Sequence, residues 1–396
     1  MKNRVVKKES IERQFSLLRT FLAIIISLAI AFVLIYAVSD KPFKDFMTLM
    51  IGPLKSVNNL TTIITKAIPL LFTGTAICLV NRCGQINIAA EGSFFSGALA
   101  NIQELGLVDE DEYQGAKKVL RAAAMTYVAA TAVAIIPGIP PILHFILCFI
   151  AAMIVGSIFM GIPSILHVKY NAVTIVSSLM INYVALFLGL YIILNPLRDG
   201  SAGFEASYSF QSTAILPKLF AGTRIHLGLI FGLIVVFIGY ILLNKTAFGV
   251  QIRTIGTNEK FAKYSGMPIS KTIVVTSIIS GMMAGLGGAC EVLGNYPRFV
   301  YTGFTNHGWD GVMLAVLCYN QPKYMPLAAM FLAYIRTSAD ALNFTSSIPP
   351  EIVNIIQGII IIFIASEKFL SLWKHRVIVK NAENELLVRM SGGDTI

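Results

Sequence analysis

Residues Phe21–Val38 run for 18 positions without a charge, close to the ~20 apolar residues that carry a helix across a bilayer core. Comparable runs recur along the chain, and they leave few choices of fold. Inside hydrocarbon every backbone N–H and C=O must be satisfied by the protein itself, so only helices and closed barrels span it. A barrel would show short stretches of alternating polarity, and these are absent. The runs are apolar on all sides, unlike the one-sided helices of a soluble surface. Charged residues make up 13% of the chain, against about 25% in soluble domains. The first run is too long for the core of a signal peptide and is followed by no clear small-residue cleavage site, so it reads as the first span.

Candidate spans lie at 18–38, 61–80, 120–136, 142–163, 172–194, 226–243, 272–294, 309–320, 324–340 and 351–367, or about ten crossings by length. The expected fold is an all-α integral membrane domain over residues 18–367, between terminal segments 1–17 and 368–396. Lysine and arginine gather in three places: Lys2, Arg4, Lys7, Lys8, Arg13 and Arg19; Lys245, Arg253, Lys260, Lys263 and Lys271; and Lys368, Lys374, Arg376, Lys380 and Arg389. The positive-inside rule puts both termini and the loop 244–271 in the cytoplasm of a multi-pass cell-membrane protein. The segment 104–119 carries Glu104, Asp109, Glu110, Asp111 and Glu112 and is expected outside. An even number of crossings must then separate the first segment from the loop. That parity makes the apolar stretch 87–103, which holds Glu91, Gly92 and Ser93, a partial or re-entrant segment, or else places one stretch on the outer surface.

Several function classes drop out. The cysteines Cys78, Cys83, Cys148, Cys290 and Cys318 are scattered and show no metal or disulfide spacing. A net charge of +10 reflects the cytoplasmic loops; no basic stripe with interleaved aromatics argues for nucleic acid. No Ser-His-Asp set or carboxylate pair argues for an enzyme. The phosphate-binding pattern Gly-x4-Gly-Lys-Ser/Thr is missing, so any ATP chemistry would belong to another subunit, and no cofactor is expected in this one.

Three stretches carry more specific information. They are Asn87–Gly97 (NIAAEGSFFSG), Asn171–Tyr183 (NAVTIVSSLMINY) and Phe248–Asn258 (FGVQIRTIGTN) with Ala262 and Gly266 beyond it. Ser280–Gly288 (SGMMAGLGG) and Gly308–Val312 (GWDGV) follow. In this order, from about residue 60 to 367, they resemble the motifs of ABC-type importer permeases for nucleosides, ribose-type sugars and branched-chain amino acids, and most of all the nucleoside branch. Ala89, Ser93, Ala172 and Phe261 depart from the motif residues. The resemblance implies a type II importer fold, a cytoplasmic ABC ATPase that consumes the ATP, a second permease subunit, and an extracellular solute-binding lipoprotein. It also implies that Arg253, Gly256, Asn258, Lys260, Ala262, Lys263 and Gly266 form the coupling loop.

The residues of that loop support the same role: Asn258, Gly266 and Pro268 are caps and breakers that delimit one short helix, and small Ala262 and Gly266 would let a partner approach. The competing reading is a solvated basic loop. Gly281 and Gly285 are expected to serve helix packing. Glu91 and Asp310 each follow an asparagine by four positions and precede a glycine. Such a pair fits the capping of helix N-termini, the preferred reading, and it also fits inverted repeats around a pathway. Asn182, Tyr183, Phe304 and Trp309 offer an amide and aromatic faces suited to a nucleobase or sugar, although aromatics in spans also serve packing. The rival function is an ion-coupled secondary transporter.

Single cysteines introduced within 104–119 are expected to react with a membrane-impermeant maleimide in intact cells; protection there would overturn this topology.

Overall fold

The computed structural model describes residues 25–95, 140–194, 198–200, 203, 206–220, 222–300, 303–346 and 348–365. The expected span 120–136, the acidic segment 104–119, the second part of 87–103 and the terminal segments 1–17 and 368–396 lie outside the described residues.

Every regular element among the described residues is helical. Two compact units form, one over Leu54–Thr337 and one from the described parts of Met1–Pro53 and Ser338–Ile396. The larger unit holds α3 (Val57–Arg82), α4 (Ala90–Phe95), α5 (Pro141–Tyr170), α6 (Thr174–Leu194), α7 (Gly228–Lys245), α8 (Ala247–Thr257), α9 (Glu259–Tyr264), α10 (Ile269–Asn295) and α11 (His307–Leu317). The smaller unit contains α1 (Ile25–Val38), α2 (Pro42–Ile51) and α13 (Pro350–Ala365). Helix α12 (Met325–Thr345) belongs to the larger unit up to Thr337. Within the smaller unit, the Phe32 and Phe46 rings meet edge to face at 5.1 Å, and the Ser39 hydroxyl donates to the Asp45 carboxylate at 2.5 Å.

Five helices among the described residues, α3, α5, α6, α7 and α10, are long and apolar enough to cross a membrane. The expected crossing at 309–320 is different. Helix α11 has 11 residues, and at 1.5 Å per residue it reaches only about half a bilayer core. It ends in a turn at Cys318–Gln321 before α12 begins. Helix α4 is described over Ala90–Phe95, so the stretch from residue 87 begins as a loop followed by a helical start.

Helix α3 is the centre of the larger unit, with 89% of its most apolar stretch buried, whereas α7 at 33% is peripheral. Ser56 caps its start by accepting from the Asn58 amide. Pro69 lies inside it and removes one backbone donor. The Thr73 and Thr75 hydroxyls donate back to the Pro69 and Leu71 carbonyls of the preceding turn, so these buried polar side chains are satisfied within their own helix.

Helices α5 and α10 meet backbone to backbone. A Cβ at Gly156 would overlap the Gly281 carbonyl oxygen, one at Gly281 the Gly156 carbonyl, and one at Gly285 the Ala152 carbonyl. The expected packing role of Gly281 and Gly285 thus has a definite partner in Ala152 and Gly156. In lipid such close approach supplies the dispersion contact that apolar burial does not. Gly281→Ala is therefore expected to destabilise the protein by about 1–3 kcal/mol through overpacking. Gly358→Ala, where a Cβ meets nothing within 4 Å, is expected to be neutral or mildly stabilising. Thermal unfolding of the two variants in detergent checks the contrast, and equal midpoints would refute it.

Candidate functional site

The residues 85–89 before α4 have no regular structure, and the first amides of α4 have no helical partner, so these backbone groups need partners from elsewhere. Asn87 donates to the Met160 carbonyl at 3.0 Å and to Ser164 at 3.3 Å, and its side-chain oxygen accepts from the Ala89 amide at 3.0 Å. Ser178 accepts from the Ile88 amide. Asn182 bridges the break, accepting from the Gly92 amide at 2.7 Å and donating to the Ile88 carbonyl at 3.1 Å. Ser93 donates to the Gly156 carbonyl at 3.1 Å. Ser178 and Asn182 of the motif Asn171–Tyr183 therefore join residues 87–93 and α5 in one buried hydrogen-bonded unit.

Glu91 is 0% exposed, and its carboxylate turns away from its own helix. It accepts from the Asn306 amide at 2.8 Å, from the Gly308 amide and from the Thr305 hydroxyl at 3.3 Å. These are the free donors at the start of α11. Gly308 makes the contact possible, because a Cβ there would overlap the Glu91 backbone. Capping was one of the two readings open for Glu91, and the helix it caps is the distant one. A central charge costs roughly 2.5–3.5 kcal/mol to place in a bilayer. Two amide bonds to a carboxylate, at about 1.5–3 kcal/mol each, are enough to offset it.

Asp310, 2% exposed, lies in the first turn of α11 and accepts from Arg336 of α12 at 2.6 Å. Its second oxygen is 3.9 Å from His307 Nδ1. Arg336 and His307 are additions to the site that the motifs did not single out. Arg336 within the apolar stretch 324–340 was the available signal, since an ionisable group in a span marks a partner or a pathway.

The aromatic candidates divide. Tyr183 and Phe304, 121 positions apart in sequence, have ring centroids 5.4 Å apart in edge-to-face contact, and Phe187 stacks at 6.5 Å beyond Tyr183. Tyr183 is 54% and Trp309 38% exposed. Asn182, by contrast, is buried with its amide engaged by the backbone of 88–92.

The loop 244–271 folds as two short helices. Thr246 caps α8 through the Gly249 amide, and Asn258 caps α9 through the Phe261 amide at 3.0 Å. Gly266, at φ 73°, ends the second. The single helix expected between Asn258 and Gly266 is α9; α8 precedes it. Lys260, Lys263, Phe261 and Tyr264 face out, Tyr264 at 91% exposure. Ala262 is 0% exposed, so its small side chain serves the chain's own packing and not the approach of a partner. Arg253 Nε donates to the Gly249 carbonyl on the same helix.

Residues 59–365 match the sequence family described as branched-chain amino acid transport system / permease component. The chain is similar to the glucose ABC transporter permease protein TsgB13 of Haloferax volcanii, with 26% identity over 384 residues, covering 94% of this chain and 93% of that protein. It is 29% identical over 360 residues to the guanosine ABC transporter permease protein NupP of Bacillus subtilis, covering 90% and 95%. A second protein of that organism, the guanosine ABC transporter permease protein NupQ, is 26% identical over 311 residues, covering 72% and 81%.

Removing one member of the Asp310–Arg336 pair should leave the other buried and unpaired, at a cost of about 3–5 kcal/mol. Arg336→Met alone is expected to lower the unfolding midpoint in detergent sharply. Combining it with Asp310→Leu should recover much of that loss, and a double variant no better than the single would show that the pair is not coupled.

Proposed function

The chain belongs to the branched-chain amino acid transport system / permease family, and from that membership we propose that it forms the nucleoside path of an ATP-driven importer. The observation that supports this reading is α9, a capped helix that presents Lys260, Phe261, Lys263 and Tyr264 on a basic and aromatic surface. A cytoplasmic ABC ATPase would engage it there, and α8 with Arg253, Gly256 and Asn258 would connect the engaged helix to the spans. The ATPase supplies the hydrolysis; this subunit supplies the path. About ten crossings with inverted repeats, both termini cytoplasmic and a solute-binding lipoprotein on the outer face complete the arrangement. That Bacillus subtilis has both NupP and NupQ among the relatives supports a paralogue, in place of a second copy, as the second permease.

Nucleosides are preferred over sugars as the permeant. NupP is a guanosine permease by name, and the Tyr183–Phe304 pair with Phe187 and Trp309 offers ring faces for a base. Glu91, Asn182 and Asp310 then act by holding the starts of α4 and α11 in place beside that path.

Uptake by the complete complex in proteoliposomes tests both parts. Nucleosides should compete with labelled guanosine better than ribose or leucine. Uptake should survive an uncoupler and stop when the ATPase is inactivated, while Lys260→Glu with Lys263→Glu should reduce recovery of the ATPase with the permease. Uptake that is sensitive to the uncoupler and indifferent to the ATPase would favour an ion-coupled transporter instead.

A further inference from the structure

We infer that Arg82 is a positioning residue that carries movement of the cytoplasmic helix α8 to the broken helix α11, an inference that rests on the importer reading above. At the end of α3 the chain turns at Cys83 and Gly84, with Gly84 at φ 77°. Helix α8 lies directly on that turn. A Cβ on Gly256 would overlap the Arg82 carbonyl oxygen and come within 2.9 Å of the Gly84 nitrogen, and one on Gly84 would lie 3.1 Å from the Gly256 Cα. No flexible side chain separates the two backbones, so a displacement of α8 at Gly256 reaches the end of α3 without slack.

From the same turn the Arg82 side chain reaches the far end of α11. Its Nε donates to the Asn320 carbonyl at 3.0 Å and its second nitrogen to the Tyr319 carbonyl at 2.9 Å. The neighbouring Asn81 donates to the Asn320 side chain at 3.1 Å. Tyr319 and Asn320 both hold positive φ, 53° and 52°, a conformation that non-glycine residues keep only where their surroundings enforce it. The planar, rigid fork of the guanidinium grips two successive carbonyls at once. Helix α11 is thus held at its start by Glu91 and just beyond its end by Arg82. One grip lies beside the proposed permeant path and the other against the helix pair that an ATPase would move. Two discrete contacts on one short helix are the physical basis for carrying a stroke between separate sites.

The test is made on the complete complex in proteoliposomes, measuring ATP hydrolysis and guanosine uptake together. Arg82→Gln is expected to leave recovery of the ATPase and its hydrolysis near the parental level while uptake per ATP falls roughly 3- to 30-fold. A purely structural Arg82 would do no more than enforce the backbone at 319–320. In that case Asn320→Gly, which accepts positive φ freely, should restore coupling to Arg82→Gln. Transmission predicts instead that the double variant regains thermal stability and stays uncoupled. Should Arg82→Gln fail to assemble, Arg82→Lys, which lacks the fork, carries the test; uptake per ATP at the parental level in either assembled variant, or restored by Asn320→Gly, overturns the inference. Failure of the importer reading has a different signature, since the parental complex would itself show uptake independent of ATP.

Discussion

Glu91 accepts from the amides of Asn306 and Gly308, joining two helix starts that lie more than 200 residues apart in sequence (217 between Glu91 and Gly308). Much of the larger unit is arranged around that contact. A helix that begins inside a membrane domain exposes free N–H groups, and no solvent is present in hydrocarbon to take them. Of the acceptors that could meet them, a carboxylate does most: it takes several donors and its charge is favoured by the helix dipole. The same donors make the buried charge tolerable. Each half of the contact solves the other's problem.

The asparagines extend this logic to the loop before α4. Asn182 uses both ends of its amide to bridge the Ile88 carbonyl and the Gly92 amide, and Asn87 accepts from the Ala89 amide while its donor end ties the loop to Met160 and Ser164. Where the helices are continuous a different device suffices. Helices α5 and α10 satisfy their own backbone groups and have only to approach closely, so glycine and alanine at Ala152, Gly156, Gly281 and Gly285 are enough. Asparagine side chains mark the break, and small residues mark the seam, where the buried Ser164 hydroxyl also donates to Ser277.

That division explains what the sequence could and could not disclose. The long helices α3, α5, α6, α7 and α10 were legible because a run of apolar residues has one solution in a bilayer. The cap at Asn258 and the stop at Gly266 were legible because both act on residues a few positions away. Glu91 was visible as an anomaly, yet its partner was not, since a cap from another helix leaves no spacing to read. Arg336 was hidden for the same reason: its meaning comes from Asp310, 26 residues earlier and on another helix. The length of α11 was overestimated because the turn at Tyr319 and Asn320 contains no glycine before Gln321 and Pro322. Two residues hold positive φ there, with Arg82 donating to both carbonyls; Asn320 followed by Pro322 is a local stop signal that the apolar run outweighed. Ala262 looked like a landing place for a partner because smallness in sequence does not say which neighbour benefits from it.

The two kinds of contact also differ in what they permit. The α5–α10 seam is continuous and close, and sliding it would drive carbonyl oxygens into neighbouring backbone, so it has one arrangement. Helix α11 is fixed by a carboxylate at its start, an ion pair at Asp310 and a guanidinium beyond its end, each a bond that another donor or acceptor could replace. Buried ion pairs contribute little net stability compared with apolar packing of the same volume. Their presence along one short helix, beside seams that manage without them, is therefore poorly explained by stability alone. It is well explained if α11 must hold one position firmly and still be able to leave it, which an alternating-access path requires of at least one of its elements.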